Sequence, residues 1–409
     1  MKTASPAAHG GRPTTRARWT VPLLAFVTIL IDGFDTTSIG FVVPTLARDW
    51  GLAPAAFTPA FVATSLGAVI GYMCSGAASA RFSRRSIVLA SVAAFAIGSC
   101  ATAWVGSVAA LAWIRLLTGI GLGAAIPACI SLAVEHASPR HREAMTVAVA
   151  AGLAMGATLG GVAGGPLIAH AGWPAVFWVG GLLPALLLPL LWRGLPVEAA
   201  PTTLPVSQGP AGAPAATVGA LFNGALKLPT LLLWGFSFMI FTATYAMSFW
   251  TPTLLLAFGF SPADAPRGAA ALGAGGVLAA LLLVPLTAWC GIRPVLVATT
   301  LGAVALVVLL SQWAVGPTTV LLCIGGLGAC LISGTLGQAA LAVSIYGAAS
   351  RTTGVGWSAA LGRMGSILGP ALAGSLLAAG HAPREVLLTL ALPTALAILG
   401  LLGLARSGR

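Results

Sequence analysis

What this 409-residue chain has least of is charge, and negative charge above all: Asp and Glu together number eight, and charged residues make up 7%. An ordinary soluble domain is roughly a quarter charged, so this composition excludes a soluble globular fold. Metal-ligand patterns are also missing. Cys74, Cys100, Cys129, Cys290, Cys323 and Cys330 sit in apolar stretches with neither ligand spacing nor an extracellular disulfide framework, and they read as small packing residues. No nucleophile–base constellation stands out, so the chain is not read as an enzyme and no metal or cofactor is expected. The loops are too short to hold a separate signalling domain.

What is present instead is apolar sequence, 58% of all residues, with a mean hydropathy of +0.99. About 20 apolar residues span the hydrocarbon layer as a helix. Inside lipid a helix satisfies its own backbone, which makes it the expected form of each span. Breaks at Gly, Pro and charge clusters predict spans near 20–46, 57–80, 86–104, 108–134, 144–169 and 174–192, then 228–256, 266–289, 293–313, 317–346, 354–379 and 384–405. The expectation is an all-α membrane protein of twelve transmembrane helices in two pseudo-symmetric six-helix bundles. A tail at 1–18 precedes the first bundle (19–192), a Pro- and Gly-rich linker (193–227) joins it to the second (228–405), and 406–409 form a short terminal tail. Two equal halves around such a linker suggest a duplicated transporter, in which the site would lie near the midplane between the halves.

The net charge of +12 would suggest nucleic acid in a soluble protein. Here the basic residues sit in short loops, and placing both termini in the cytoplasm puts 15 of the 20 Lys and Arg inside and only Arg48, Arg267 and Arg384 outside. That is the positive-inside bias, so the expected partner is a bilayer and no nucleic acid. The stretch from Trp19 to Ile31 follows a basic tail, yet it runs on through Asp32 and Asp35 without a cleavage site and reads as the first span.

Four charges fall inside the spans. Asp32 and Asp35 lie near the middle of the first, and i,i+3 spacing puts them on one helix face. A charge at that depth costs about 2.5–3.5 kcal/mol on insertion scales, so such residues usually face a cavity and often relay ions. Two close carboxylates disfavour double ionisation, which makes proton uptake a natural role. A buried pair bridged to an arginine is the competing account. Arg115 lies in the fourth span beside Gly119, Gly121 and Gly123, and Arg363 lies in the eleventh. A guanidinium fork matches a carboxylate, so each arginine suits a substrate anion or an aspartate partner. Both aspartates ionised against both arginines sum to zero, and one added proton with one added carboxylate restores that balance. The arithmetic favours symport of an anion with a proton. In the seventh span Tyr245, Phe249 and Trp250 suit stacking on an aromatic ring and equally suit packing. Gly152, Gly156, Gly160 and Gly164 form a small-residue face on the fifth span, which reads as helix packing.

The run Asp32-Gly33-Phe34-Asp35, Arg115 with its glycines and Pro127, and Glu135-His136-Ala137-Ser138-Pro139-Arg140-His141-Arg142 carry a family resemblance. So do Trp250-Thr251-Pro252-Thr253-Leu254 and the stretch from Arg351 through Trp357 to Gly362-Arg363-Met364-Gly365. In that order over nearly the whole chain, these resemble the major facilitator superfamily and, within it, the aromatic acid:proton symporters. The resemblance implies alternating access and proton-driven import of a benzoate- or hydroxybenzoate-class acid across a bacterial inner membrane. It implies that Asp32, Asp35, Arg115 and Arg363 are essential, and that Glu135 acts in gating. One departure stands out: Ala80 and Ser83 occupy the places of an aspartate and a glycine that the superfamily normally carries in the loop between the second and third spans.

The reading that results is a monomeric transporter with Asp32 and Asp35 coupling protons and with Arg115, Arg363, Tyr245 and Trp250 binding an aromatic carboxylate. Arg81, Arg84, Arg85 and Arg351 join Glu135 at the cytoplasmic gate, and a plain topology signal accounts equally well for the loop arginines. Proton-coupled export of drugs or metabolites is the alternative within transport, and a non-transporting membrane sensor is the alternative outside it.

Overall fold

A computed structural model of the chain describes residues 15–79, 81–138, 142–196, 218–347 and 350–407. Residues 1–14 of the expected tail at 1–18, residues 408–409 of the one at 406–409, most of the expected linker, Ala80, Pro139, Arg140 and His141 lie outside the described residues. All regular structure in the described residues is helical: α1 (Thr15–Trp50), α2 (Thr58–Ala78), α3 (Arg84–Thr102), α4 (Val108–His136), α5 (Arg142–Ala171), α6 (Pro174–Gly194), α7 (Lys227–Leu255), α8 (Pro266–Cys290), α9 (Ile292–Gln312), α10 (Pro317–Ile345), α11 (Arg351–Ala378), α12 (Pro383–Thr389) and α13 (Ala391–Ser407). Short 3-10 turns at Val218–Phe222 and Gly224–Leu226 lead into α7.

The ends of these helices follow local chemistry. Pro174, Pro266, Pro317 and Pro383 each open a helix, where a missing N–H costs nothing and the ring presets φ. The side chains of Ser83 and Ser107 accept from the amides of Ser86 and Ala110, capping α3 and α4. Gly51 and Gly172 take φ of +65° and +74° just past α1 and α5, a conformation that L side chains resist. The expected twelfth span is interrupted at Leu390, between α12 and α13. The cause is Pro393, which has no amide to donate back to Thr389 and whose ring crowds that carbonyl.

Eleven segments of the described residues are long and apolar enough to cross a membrane, with α12 and α13 counting as one. The 28-residue α11 has the length as well, but dilutes its apolar character with Arg351, Arg363, glycines and serines. Helix pairings in the first six helices recur in the rest: α1 on α5, α2 on α4 and α3 on α6 are matched by α7 on α11, α8 on α10 and α9 on α13. This repetition is the twofold pseudo-symmetry of two six-helix bundles.

The bundles meet through α1 with α7, α2 with α11 and α5 with α8. Their closest approaches lie toward the face that carries the α1–α2, α7–α8 and α11–α12 connections. There a Cβ at Gly40 would touch the Phe249 carbonyl at 3.0 Å, one at Gly161 would run into the α8 backbone at Pro266 and Ala270, and one at Gly374 would run into Thr58. Phe61 of α2 closes the same seam, stacked on Phe249 at 5.0 Å and edge-on to Trp250 at 4.9 Å. Such aromatic pairs add about 0.5–1.5 kcal/mol each beyond area burial.

Candidate substrate and proton site

The site is organised by α1. Gly33 lies against the backbone of Leu153 in α5, at a separation that no Cβ would allow. Gly152, Gly156, Gly160 and Gly164 continue that seam against Phe26, Leu30, Phe34 and Phe41, so the glycine face of α5 packs on α1. Clamped in this way, α1 sends its carboxylates into different surroundings.

Asp35 points into the first bundle. It is fully buried, as is Arg115, whose Nη1 donates to Asp35 Oδ2 at 3.3 Å. The Ser99 hydroxyl donates a short hydrogen bond to Asp35 Oδ1. Arg115 Nη2 donates to Thr102 Oγ1 at 3.0 Å, and its guanidinium lies 5.1 Å from the ring of Phe177. Both carboxylate oxygens therefore have donors. A buried ion pair holds only when such extra hydrogen bonds offset its desolvation. The network ties α1 to α3, α4 and α6, and does not reach the second bundle.

Asp32 faces the boundary between bundles. Thr36 donates to its Oδ1 at 2.9 Å, while Oδ2 is buried and accepts no hydrogen bond. It borders a small cavity of about 20 Å³ whose wall includes Thr36, Thr64, Ser65 and Gly123 of the first bundle and Tyr245, Phe249 and Arg363 of the second. Arg363 Nη1 donates to the Tyr245 hydroxyl at 3.1 Å. Its guanidinium rests 5.1 Å from the Tyr72 ring, across the boundary, and 6.0 Å from Phe241. Among the described residues Arg363 makes no ion pair. The cavity thus sets a cation with only neutral partners opposite a carboxylate with a spare oxygen, between aromatic walls. In charge and lining that arrangement suits a flat molecule bearing one negative charge, and the space as it stands has room for about a water, so the bundles must part to admit such a molecule.

The remaining sequence candidates lie elsewhere. Trp250 is fully buried, and its indole N–H donates to the Pro370 carbonyl at 3.0 Å. It backs the cavity wall from the bundle seam and does not line the cavity. Glu135 pairs with Arg84, an ion pair inside the first bundle that joins α4 to α3. Arg85 donates to the Trp192 carbonyl and covers that indole at 5.0 Å. Arg81 is exposed in the turn after α2, and Arg351 donates to the Tyr346 carbonyl at 3.4 Å. All six cysteines are free.

Sequence reasoning did not single out Thr36, Ser65, Tyr72, Ser99 or Thr102. Lone hydroxyls in apolar helices usually bond back to their own helix, as Thr28, Thr64 and Thr118 do here, and so carry little signal.

Residues 25–339 match the family model of the Major Facilitator Superfamily. The chain belongs to the major facilitator superfamily. It is 33% identical to a gallate transporter of Pseudomonas putida over 96% of this chain and 92% of that protein. It is 31% identical to the 4-hydroxybenzoate transporter PcaK of Pseudomonas aeruginosa, over 94% of this chain and 92% of the other. With the 3-(3-hydroxy-phenyl)propionate transporter of Escherichia coli it shares 35% identity over 87% of this chain and 86% of the relative. In fold it is similar to a bacterial homologue of the human lysosomal transporter Spinster in an inward-facing, unoccupied conformation, with a TM-score of 0.73 at 17% identity over 97% of this chain and 99% of that one. The nucleoside transporter NupG matches equally well, at 0.73 and 13% identity over 95% and 99% of the two chains. Superfamily membership makes this chain a multi-pass membrane transporter and not an enzyme.

Proposed function

We propose that this superfamily member imports a small aromatic carboxylate together with a proton, by alternating access across a bacterial inner membrane. The observation that carries the reading is the shared cavity, in which Arg363 of the second bundle and the spare oxygen of Asp32 in the first border one space walled by Tyr245 and Phe249. The relatives named for gallate, 4-hydroxybenzoate and 3-(3-hydroxy-phenyl)propionate support the substrate class.

In this reading the substrate carboxylate docks on Arg363, which turns from the Tyr245 hydroxyl to offer its planar fork. Asp32 takes up the proton, so that the loaded cavity is neutral. Asp35 keeps Arg115 fixed and completes the coupling site from behind. Tyr245 and Phe249 wall the ring, backed by Trp250. Neutralising the site favours closure toward the opposite face, since a ligand shifts the two-state equilibrium only by its differential affinity for the states. Glu135 with Arg84, and Arg81, Arg85 and Arg351, form the cytoplasmic side of the gate, with Ala80 removing one of its usual acidic contacts. The bundles at 19–192 and 228–405 move about the linker at 193–227 as one monomer, both termini in the cytoplasm.

The test is uptake into proteoliposomes. An inwardly directed proton gradient should raise the initial rate and accumulation of labelled hydroxybenzoate, and a protonophore should abolish the accumulation. Uptake indifferent to both overturns proton coupling, and absence of saturable counterflow for every aromatic acid tried overturns the substrate class.

A further inference from the structure

Most buried hydroxyls of this protein are spoken for. Thr28, Thr64, Thr102, Thr118, Ser237, Thr244 and Ser333 each donate to a carbonyl one turn back at 2.7–2.8 Å. Three buried hydroxyls among the described residues have no hydrogen-bond partner: Ser65, Thr251 and Thr253. Of these, Ser65 alone borders the cavity that holds Asp32 and Arg363. Ser65 is only 2% exposed, and on α2 it directly follows Thr64, whose hydroxyl does turn back to Ala60. Asp32 Oδ2 is likewise buried and without a hydrogen bond on the same cavity. Thr36 holds the other oxygen of that carboxylate, which fixes which oxygen is left over.

Leaving a buried polar atom unsatisfied costs about 1–3 kcal/mol, and two of them facing one space are satisfied together by a ligand that carries hydroxyl groups. Both belong to the first bundle, across the cavity from Arg363. We infer that Ser65, with Asp32 Oδ2, reads ring hydroxyls, so that the carrier selects hydroxylated aromatic acids over benzoate itself. A ring hydroxyl accepts from the Ser65 hydroxyl and donates to the Asp32 carboxylate, and protonated Asp32 donates in its turn. An unsubstituted ring satisfies neither atom. Discrimination arises because a site built to bond a hydroxyl loses that bond when the analogue lacks it, whereas an apolar pocket tells a ring from a hydroxylated ring poorly. The inference rests on the aromatic-acid reading above and adds its specificity determinant.

The experiment is counterflow in proteoliposomes loaded with unlabelled 4-hydroxybenzoate, with external benzoate, 3- and 4-hydroxybenzoate, 3,4-dihydroxybenzoate and gallate as competitors of the labelled acid. The wild-type protein should prefer the best hydroxylated acid to benzoate by about tenfold or more, the equivalent of one net hydrogen bond to a buried partner. Ser65→Ala should collapse that preference to within about threefold, and Ser65→Thr, which restores a hydroxyl, should recover part of it. Benzoate competing as well as every hydroxylated acid on the wild-type protein overturns the inference even if Ser65→Ala fails to reach the membrane. An unchanged preference in a well-folded Ser65→Ala protein overturns it as well. No counterflow of the labelled acid, with no competition by any of the five, is the failure of the aromatic-acid reading instead, so the two are told apart.

Discussion

Two carboxylates one helical turn apart on α1 have opposite surroundings. Asp35 is enclosed by Ser99, Arg115 and, through the arginine, Thr102 and Phe177, all within one bundle. Asp32 keeps a bare oxygen and looks across a cavity at an arginine of the other bundle. In the first arrangement both carboxylate oxygens are bonded, and only Arg115 Nε is left without a partner. The second is unsaturated on both sides, Arg363 having only the Tyr245 hydroxyl and aromatic faces as partners. The lesson is that charge inside a membrane does not by itself mark the working residue, because a matched network hides it. On the proposed function, the residue that works is the one left short of partners at the boundary between the bundles.

This contrast is broken most directly at the arginines. Arg115→Met leaves Asp35 buried and uncompensated, which should cost about 3–5 kcal/mol of stability. A thermal melt in detergent should show the loss, with partial recovery in the Asp35→Asn/Arg115→Met double variant. Asp32→Asn should melt close to the wild type while losing gradient-driven accumulation and keeping exchange. Equal destabilisation by Arg115→Met and Asp32→Asn would erase the distinction between a closed and an open cluster.

Arg363→Lys sharpens the other side. An ammonium cannot reproduce a bidentate fork, and hydrogen bonds to charged groups are worth about 1.5–3 kcal/mol, so apparent affinity for the carboxylate should fall by about tenfold or more while stability holds. Unchanged affinity in competition assays would remove Arg363 as the anion's ligand. Trp250→Phe deletes the bond to the Pro370 carbonyl, and about 1 kcal/mol of stability should go with it. Its competitor ranking should stay that of the wild type, and a changed ranking would bring Trp250 into contact with substrate. Smallest of all is Arg84→Ala. Its pair with Glu135 is over a third exposed on both sides, so its loss should move the melt by less than about 1 kcal/mol.

The helices were largely readable from sequence, because lipid imposes a length and a polarity on each span and proline and glycine mark the ends. The exception, the break at Leu390, had its cause in plain view at Pro393, but an apolar run of the right length masks a one-residue interruption. The charged residues of the site were readable for the same reason: in so apolar a chain, Asp32, Asp35, Arg115 and Arg363 stand out. Their partners were not. The i,i+3 spacing puts the aspartates on one face, yet a face is broad enough for one side chain to enter the bundle and the other the seam. Which arginine meets which carboxylate depends on helix rotation, set by close approaches such as Gly33 on Leu153, and no pattern along one helix encodes it. Ser65 was invisible because its distinction is the lack of a bond that its neighbours make. Trp250 looked like a ring platform by type, and its packing on Phe61 and Pro370 is a matter of tertiary geometry.

The anchoring of α1 has a mechanical consequence. Asp35 is hooked to α3 and α4, Gly33 is pressed on α5, and Asp32 sits between them on the same rigid rod. The rod cannot roll about its axis without tearing Asp35 from Arg115 or driving Gly33 into Leu153. If the bundles rock as proposed, then viewed from the first bundle Asp32 is the stator, and Arg363, carried on α11, is the part that swings. On that reading a substrate is handed past a stationary acid, and the stroke length is the distance Arg363 moves relative to Asp32.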